Sequence, residues 1–159
     1  MAATFAEQPT PNSGEVDLWN HVPITSTPAY YNSDSGTGRV IGVRITKKCT
    51  ISAVYWGSGI ALAASDTNYW TFNVLKISNT AGGGSGTALC SAPKESKATG
   101  STALTGGTLV INQLYNMGVN QNLDCEVGDL VYMHMVATLV PTALTLCAHD
   151  IRVVATSRP

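Results

Sequence analysis

Hydrophobic and polar residues alternate with a period of two in short runs along most of the chain. In residues 39–46, RVIGVRIT, three aliphatic side chains alternate with positions that include an arginine and a threonine. In residues 68–78, NYWTFNVLKIS, Trp70, Phe72 and Val74 alternate with polar residues. This period is typical of a β-strand with one buried face, so both runs are predicted as strands. Further β-type runs lie at 49–56, 87–92, 107–117, 122–127, 129–139 and 143–156.

Glycine, serine, asparagine and aspartate separate these runs, and no segment has the length and period of a helix. Short strands without crossover helices predict an all-β fold, either an antiparallel sandwich or a barrel. An antiparallel β-sandwich of the jelly-roll type is the favoured form. The last two runs, joined through residues 140–142, are predicted to form a hairpin. Because both runs are apolar on both faces, they are predicted to hold a central or interface-facing position.

Residues 1–38 differ from the rest and are predicted to form an extended N-terminal arm on a sandwich domain at 39–159. This segment contains four of the seven prolines, and no apolar period can be followed through it. It nevertheless carries more aromatic and apolar residues than an idle disordered tail. Two arrangements stay open: the arm folds back over its own domain, or it lies against a partner.

The composition favours a single domain whose surface contacts other protein. A chain of 159 residues can bury a core large enough to fold without a metal or a disulfide. The formal net charge is −1 and charged residues make up only 12% of the chain. Neutralising phosphates needs clustered lysine and arginine, so this composition argues against direct nucleic-acid binding. Low charge also favours a surface that partly faces other protein rather than water.

No segment predicts a membrane span or a secretion signal. No apolar run approaches the roughly 18 residues needed to cross a bilayer, and MAATFAEQPTPNSG lacks the basic and apolar regions of a signal peptide. The protein is therefore expected to stay in the cytoplasm or to leave the cell by lysis. In that reducing compartment, cysteines without C-x-x-C spacing are expected to be free thiols. The chain has four of them, Cys49, Cys90, Cys125 and Cys147.

Two glycine-rich stretches invite a test for nucleotide binding. GSGIALAAS, residues 57–65, has the first two glycines of a dinucleotide-binding fingerprint, but Leu62 stands where a small residue is required. No long helix is predicted to follow, and no acidic residue lies where a ribose would be held. GGGSGTA, further along the chain, lacks the Gly-Lys-Ser or Gly-Lys-Thr of a phosphate-binding loop. Neither stretch predicts a nucleotide site.

Histidines and carboxylates give no pattern of a catalytic or metal site. His21 lies in the arm, whereas His134 and His149 lie in successive predicted strands and could be neighbours. Neither has an acidic partner at metal-ligand spacing. The three acids of DCEVGD, residues 124–129, are interpreted as solvated side chains on one outward face beside a tight turn, not as a glycosidase pair. No enzyme activity and no cofactor are therefore predicted.

Four aromatic residues flank the loop that begins at Gly57, and two interpretations of them stay open. They could form an exposed platform on which a carbohydrate stacks, which is the best option for a small ligand in this sequence. In a β protein, such residues more often form core contacts and cross-strand pairs. The four residues are Tyr55, Trp56, Tyr69 and Trp70.

The region from residue 39 to about residue 154 resembles structural proteins of tailed bacteriophages. In those proteins a loop of the type L-x-A-x-D-T-N-Y leads into a strand, and a turn of the type V-x-x-G-D leads into a late strand. The turn is matched roughly by Val127, Gly128 and Asp129. The loop is matched by Leu62, Ala64, Asp66, Thr67, Asn68 and Tyr69.

The resemblance implies a capsid cement (decoration) protein, a β-sandwich or jelly-roll domain that sits on the outside of a phage head. Such a protein binds the major capsid protein where capsid subunits meet and stabilises the expanded shell. It is commonly a homotrimer, and a dimer is the alternative. The implied location is the capsid exterior of the virion, after assembly in the host cytoplasm.

The same resemblance implies that the arm reaches over neighbouring subunits. Buried aromatic residues tend to dominate interface energy, so the predicted arm anchors are Phe5, Trp19, Tyr30 and Tyr31. The alternative function is a receptor- or glycan-binding β-sandwich module of a phage head fibre or tail. In that alternative, the aromatic residues around 55–70 are exposed.

Overall fold

A computed structural model describes the chain at residues 15–23, 31–32, 38–79, 86–104, 108–139 and 148–159. Strand pairing alone is described for 15–23, 31–32, 38–41 and 148. The described residues form strands and no helix, which confirms the all-β prediction. The strands are β1 (Glu15–Pro23), β2 (Tyr31–Asn32), β3 (Gly38–Arg44), β4 (Cys49–Ser58), β5 (Tyr69–Ile77), β6 (Thr87–Ala88), β7 (Lys94–Glu95), β8 (Tyr115–Asn116), β9 (Asp124–Cys125), β10 (Leu130–Thr138) and β11 (Ala148–Ser157).

The strands form two antiparallel sheets that pack face to face, which confirms the predicted β-sandwich. The first sheet has the order β1-β11-β4-β8, and β9 also pairs with β4. The second sheet has the order β2-β3-β10-β5-β6, and β7 also pairs with β5. Both sheets are therefore built from strands that are distant in the chain, with β1 beside β11 and β3 beside β10.

The predicted C-terminal hairpin is wrong, because β10 and β11 lie in opposite sheets. β10 pairs with β3 and β5, whereas β11 pairs with β1 and β4. A short spacing between two apolar runs fits a hairpin and a crossing between two sheets equally well, so the sequence did not separate these cases. The central position predicted for both strands is confirmed, since each has a strand on both sides.

The core lies between the two sheets and consists of side chains that alternate along the long strands. Trp70, Phe72 and Val74 of β5 are buried and the residues between them are half-buried, as the period of two predicted. In β11 every second residue from His149 to Ala155 is fully buried and faces the same interior: His149, Ile151, Val153 and Ala155. Burial of such side chains is the main stabilising term of a fold of this kind.

A β-bulge at Ser52 divides β4 into two halves whose side chains have opposite phase. Two successive residues of β11, Val154 and Ala155, pair with residues of β4 that are two apart, which leaves Ser52 as the extra residue. The Ser52 hydroxyl donates a hydrogen bond to the carbonyl oxygen of Val154 at 3.1 Å. The bulge turns Ile51 and Trp56, which are five residues apart, toward the same core.

Two segments of the predicted arm pair with strands of the sandwich. β1 pairs along nine residues with β11, and β2 pairs with the start of β3. The sequence predicted no strand within 1–38, because β1 is an edge strand and its residues show no clean alternation. Residues 15–23 thus lie along their own domain, which is one of the two arrangements left open above.

Candidate functional site

The loop at 59–68 crosses one end of the sandwich. It leaves the first sheet at Ser58, the last residue of β4, and enters the second sheet at Tyr69, the first residue of β5. Leu62, in its middle, is buried and exchanges two backbone hydrogen bonds with Leu109, at 3.0 and 2.9 Å. The glycines at the start of this loop therefore precede a sheet-to-sheet crossing whose central leucine belongs to the core.

The polar residues of the crossing loop hold it in place. The Asp66 carboxylate accepts hydrogen bonds from the backbone nitrogen and the hydroxyl of Thr99, at 3.0 and 3.1 Å. The Ser65 hydroxyl accepts hydrogen bonds from the backbone nitrogens of Thr67 and Asn68, at 3.3 and 3.0 Å. Short polar side chains commonly fix turns in this way. Asp66 of the phage-like motif thus has a structural role in this chain.

Replacing Asp66 by alanine is expected to lower the free energy of unfolding by about 1 kcal/mol, because both hydrogen bonds are exposed to solvent. Local opening is expected to increase more clearly than global unfolding, so the backbone amide of Thr99 should exchange its hydrogen faster. Hydrogen exchange measured by NMR checks this, with Thr67→Ala as the matched exposed control. Equal exchange at Thr99 in all three proteins would show that Asp66 does not tie the two loops together.

Among the residues whose burial is described, three of the four exposed large apolar side chains lie at the end of the sandwich that this loop crosses. Val110 and Ile111 are 49% and 52% exposed, and Leu139 is 70% exposed. The turn that carries the first two is attached to β4 through a hydrogen bond from the Asn112 backbone nitrogen to the Ser58 carbonyl oxygen, at 2.9 Å. Leu139 follows Thr138, which pairs with Tyr69 at the other end of the crossing loop. We name Val110, Ile111 and Leu139 the apolar end.

The backbone at the apolar end is held in defined conformations. The Tyr115 hydroxyl accepts a hydrogen bond from the Val110 backbone nitrogen at 2.7 Å and donates one to the Thr108 carbonyl oxygen at 3.3 Å. Asn112 and Leu139 have φ values of 60° and 55°. This left-handed region is ordinary for asparagine but costs energy for leucine, and such strain tends to occur at functional positions. The turn that carries Val110 and Ile111 is therefore preformed rather than a loose loop.

Sequence reasoning did not identify the apolar end. Residues 107–117 were predicted as one strand, but within the described residues 108–117 the structure has only the two residues of β8 and an isolated bridge at Leu109. The consecutive apolar residues Leu109, Val110 and Ile111 gave no clear signal, because β10 buries three such neighbours in a row at residues 131–133. Leu109 is fully buried, and the next two side chains are exposed.

The aromatic platform predicted as one of two alternatives is not assembled. Trp56 is fully buried and Trp70 is 5% exposed, so both indoles belong to the core. The ring centroids of Trp56 and Phe72 are 4.6 Å apart, and those of Trp56 and His149 are 5.7 Å apart. The core interpretation is therefore correct for both tryptophans.

The two tyrosines of the predicted platform lie on different sheets and face away from the core. Tyr55 of β4 is half-buried, and the Arg152 guanidinium lies 5.9 Å from its ring centroid. Tyr69 of β5 is half-buried, and the Lys97 ammonium lies 4.2 Å from its ring centroid. Because the two sheets present these rings on opposite outer faces, they cannot bind one ligand between them.

The two strand histidines are not neighbours. His149 is fully buried beside Trp56 and faces the interior from the first sheet. His134 lies on β10 between the buried residues Met133 and Met135, so it has the opposite orientation to the core residues of that strand. The possibility of neighbouring histidines depended on the hairpin, which does not form. Across the residues that the structure describes, no group of three or more histidine, cysteine or acidic side chains could hold a metal ion.

The interpretation of DCEVGD as three solvated acids is correct for two of them and wrong for the third. Asp124 and Glu126 are exposed, but Asp129 is only 4% exposed. Its carboxylate accepts hydrogen bonds from the backbone nitrogens of Asn79 and Glu126, at 3.0 and 2.9 Å. A short side chain can bury a carboxylate where backbone donors converge on it, and the position of the turn alone did not reveal those donors.

A shallow polar groove of about 650 Å³ lies between β5, β6 and residues 120–124. The amide nitrogens in its wall already donate to protein groups: that of Gln121 to the Cys90 carbonyl oxygen at 3.0 Å, and that of Asn122 to the Ala88 carbonyl oxygen at 3.0 Å. The Lys76 ammonium donates to the carbonyl oxygens of Asn122 and Asp124. These contacts hold residues 120–124 against the second sheet. The polar groups that line the groove therefore stabilise the fold.

Two of the four predicted arm anchors lie in described strands, one in each sheet. Trp19 of β1 stands directly opposite Arg152 of β11. Tyr31 of β2 stands directly opposite Arg39 of β3, in the other sheet. Phe5 and Tyr30 lie outside the described residues. Their contact with a capsid stays a prediction.

The chain matches no protein-family model, and a search of curated proteins found no significant match to it. Among the residues described, the structure has no helix long and apolar enough to cross a membrane.

Proposed function

We propose that the chain is a structural protein of a virion, a capsid cement protein that binds the outer surface of a phage head. Its partner is the major capsid protein at junctions between subunits, and it stabilises the expanded shell. It associates with itself as a homotrimer or a dimer. Two features support the proposal: the resemblance of the crossing loop and of the late turn to those of phage structural proteins, and the presence of the apolar end.

The observation that carries the proposal is the concentration of exposed apolar side chains at one end of a rigid sandwich. Single exposed apolar residues are normal on any protein, but several at one place are typical of a surface that binds protein. Val110, Ile111 and Leu139 lie at this end, and the backbone of the turn that carries the first two is fixed by the crossing loop and by Tyr115. Because this turn is preformed, little conformational entropy is lost when it docks.

A jelly-roll topology is part of the proposal. Pairing is nested along the chain, β1 with β11, β3 with β10, β4 with β8 and β9, and β5 with β6 and β7. Rolling one long antiparallel hairpin into two sheets produces this order, which supports the jelly-roll form of the double sheet. Such a fold presents loops at both ends of the sandwich, so an end can serve as the docking surface.

Changing Ile111 to aspartate is expected to weaken binding to the shell at least tenfold, because a charge would be buried in an apolar contact. The measurement is co-sedimentation of the purified protein with expanded heads, assembled from the major capsid protein of the same genome. Val127→Asp is the matched control, since Val127 is equally exposed, at 55%, but lies in the turn at the opposite end. The control is expected to bind as the unaltered chain does.

The outcomes of this experiment test the cement function and the role of the apolar end separately. No co-sedimentation of the unaltered chain would overturn the cement function, and reproducible saccharide binding on a glycan array would then favour the receptor-binding alternative. Equal binding of the Ile111 and Val127 variants would overturn the role of the apolar end. A truncation that removes residues 1–14 tests the arm without removing β1, which a larger truncation would disrupt.

A further inference from the structure

Two buried thiols face each other across the edge of the first sheet. Cys49 of β4 stands directly opposite Cys125 of β9 in the antiparallel pairing. The two residues are 1% and 0% exposed, and the Cys125 thiol donates to the Leu123 carbonyl oxygen at 3.8 Å. Directly opposite residues in such a pair have Cα atoms about 4.5–5.5 Å apart, which lies within the range of disulfide-bonded cysteines. The two strands therefore already hold the sulfurs in reach of each other.

Arg158, which directly follows β11, fastens both strands of this pair. Its Nε donates a hydrogen bond to the Cys49 carbonyl oxygen at 3.3 Å, and its Nη2 donates one to the Cys125 carbonyl oxygen at 3.1 Å. Its backbone nitrogen donates to the Lys48 carbonyl oxygen at 2.9 Å. A single side chain thus bridges β4 and β9 at the position of the thiols.

We name the hydrogen bonds from Arg158 to the Cys49 and Cys125 carbonyl oxygens the clamp. Exposed charged side chains surround it. Arg158 pairs with Glu126 at 3.1 Å and with Asp124 at 3.5 Å, and Lys48 pairs with Glu126 at 3.3 Å. The Arg158 side chain is 31% exposed, so water and salt screen these pairs. β9 has only two residues and lies at the edge of the sheet, where local opening costs least. The structure therefore favours separation of β9 from β4 at this point without unfolding of the core.

The closed arrangement protects both thiols from reaction. Burial raises the pKa of Cys125 to about 12, and burial also raises the pKa of Cys49. At Cys49 the Arg158 charge and the neighbouring Cys125 thiol act in the opposite direction and favour the thiolate. Since the thiolate is the reacting form, oxidation requires opening, and Cys49 is the better first nucleophile.

We propose that Cys49 and Cys125 form a redox-active dithiol that closes to a cross-strand disulfide with a small-molecule disulfide as the oxidant, and that Arg158 sets the rate. This inference does not depend on the cement function. In the first step, the Cys49 thiolate attacks one sulfur of the oxidant, which forms a mixed disulfide and releases one small thiol. In the second step, the Cys125 thiolate attacks the Cys49 sulfur and releases the second small thiol. Two electrons pass from the protein sulfurs to the oxidant, and the two protein protons end on the released thiols.

The disulfide would connect segments that are far apart in the chain. It joins the start of β4 to β9 and closes a long loop, so it restricts the unfolded chain strongly. The melting temperature of the oxidised protein is expected to exceed that of the reduced protein by about 5 °C or more. The reduced protein is the form expected inside a reducing cell, and the oxidised protein is the form expected outside it.

Treatment of the folded full-length protein with glutathione disulfide tests the dithiol. The expected result is loss of two hydrogens in the intact mass and a linked pair of peptides that contain Cys49 and Cys125. A variant with Cys90→Ala and Cys147→Ala should give the same link, whereas adding Cys125→Ala should leave a stable mixed disulfide or a free thiol at Cys49. Free thiols at both positions after prolonged treatment of the unaltered chain, or links to other cysteines instead, would overturn the proposal.

The role of Arg158 has its own measurement. Arg158→Ala is expected to oxidise about tenfold faster, because loss of its hydrogen bonds lowers the free energy of opening β9. The loss of its charge beside Cys49 acts in the opposite direction but is the smaller effect, since the side chain is 31% exposed and its charge is screened. Arg152→Ala is the matched control, since Arg152 lies in the interior of β11 beside Tyr55 and is expected to leave the rate unchanged. Equal rates in the Arg158 variant and the unaltered chain would show that the clamp does not control oxidation, even where the disulfide forms.

Discussion

Replacing Trp56 by alanine is expected to lower the free energy of unfolding by about 3–5 kcal/mol, the usual cost of removing a large buried aromatic side chain. Trp56 is fully buried and lies against rings from both sheets, Phe72 from the second and His149 from the first. Its removal leaves a cavity at the place where the sheets meet, and neither sheet can close it without breaking its own pairing. Urea unfolding, followed by circular dichroism, measures the change.

The neighbouring residue provides the control for this prediction. Tyr55→Ala is expected to cost about 1 kcal/mol or less, because Tyr55 is half-buried on the outer face and contacts mainly Arg152. Trp56→Phe is expected to recover most of the lost stability, since the Trp56 indole nitrogen has no hydrogen-bond partner among the described residues. A loss for Tyr55→Ala as large as that for Trp56→Ala would contradict the assignment of the two residues to opposite faces.

The strands β3 and β5 could be predicted because each has one dominant periodic signal. β5 alternates Trp70, Phe72 and Val74 with polar residues, and the structure buries the same three side chains. β3 is similar, with Val43 buried and Arg44 exposed. A period of two survives tertiary packing here because a sandwich gives each strand one apolar and one outer face.

Features that depend on pairing between distant segments could not be predicted in the same way. The bulge at Ser52 is defined by the register of β4 against β11, which the sequence of β4 alone does not contain. β1 has no clean alternation, and its strand conformation is stabilised by backbone hydrogen bonds with β11 rather than by its own pattern. Whether β11 pairs with β10 depends on which sheet the chain enters after Leu139. A short linker allows both arrangements.

The candidate sites also divide into those that a local sequence pattern indicated and those that depend on contacts between distant segments. The crossing loop at 59–68 was singled out by the glycines at its start and by its resemblance to the L-x-A-x-D-T-N-Y loop of phage structural proteins. The apolar end was missed because Val110 and Ile111 look like strand residues until the turn that carries them is placed beside β4. The thiol pair was missed because Cys49 and Cys125 are far apart in the chain and meet only through the pairing of β4 with β9.

The late turn at residues 126–129 owes its form to two residues of the phage-like motif. Gly128 has a φ of 92°, and a Cβ atom there would lie 2.6 Å from the Asn79 side chain. The backbone nitrogen of Asp129 donates to the Glu126 carbonyl oxygen at 3.1 Å, which closes the turn. The Asp129 carboxylate then binds the backbone nitrogens of Asn79 and Glu126, so it joins the turn to the segment that follows β5.

Replacing Asp129 by alanine is expected to lower the free energy of unfolding by about 2–4 kcal/mol, because two backbone donors would lose a charged acceptor in a buried place. Asp129→Asn should lose less, since one amide oxygen can still accept a hydrogen bond. The exposed Asp124 gives the matched control, and Asp124→Ala is expected to cost about 1 kcal/mol or less. Urea unfolding of the four proteins checks the order, and hydrogen exchange at Asn79 locates the effect. If Asp129→Ala and Asp124→Ala proved equally stable, the Asp129 carboxylate could not be the group that holds this turn against the second sheet.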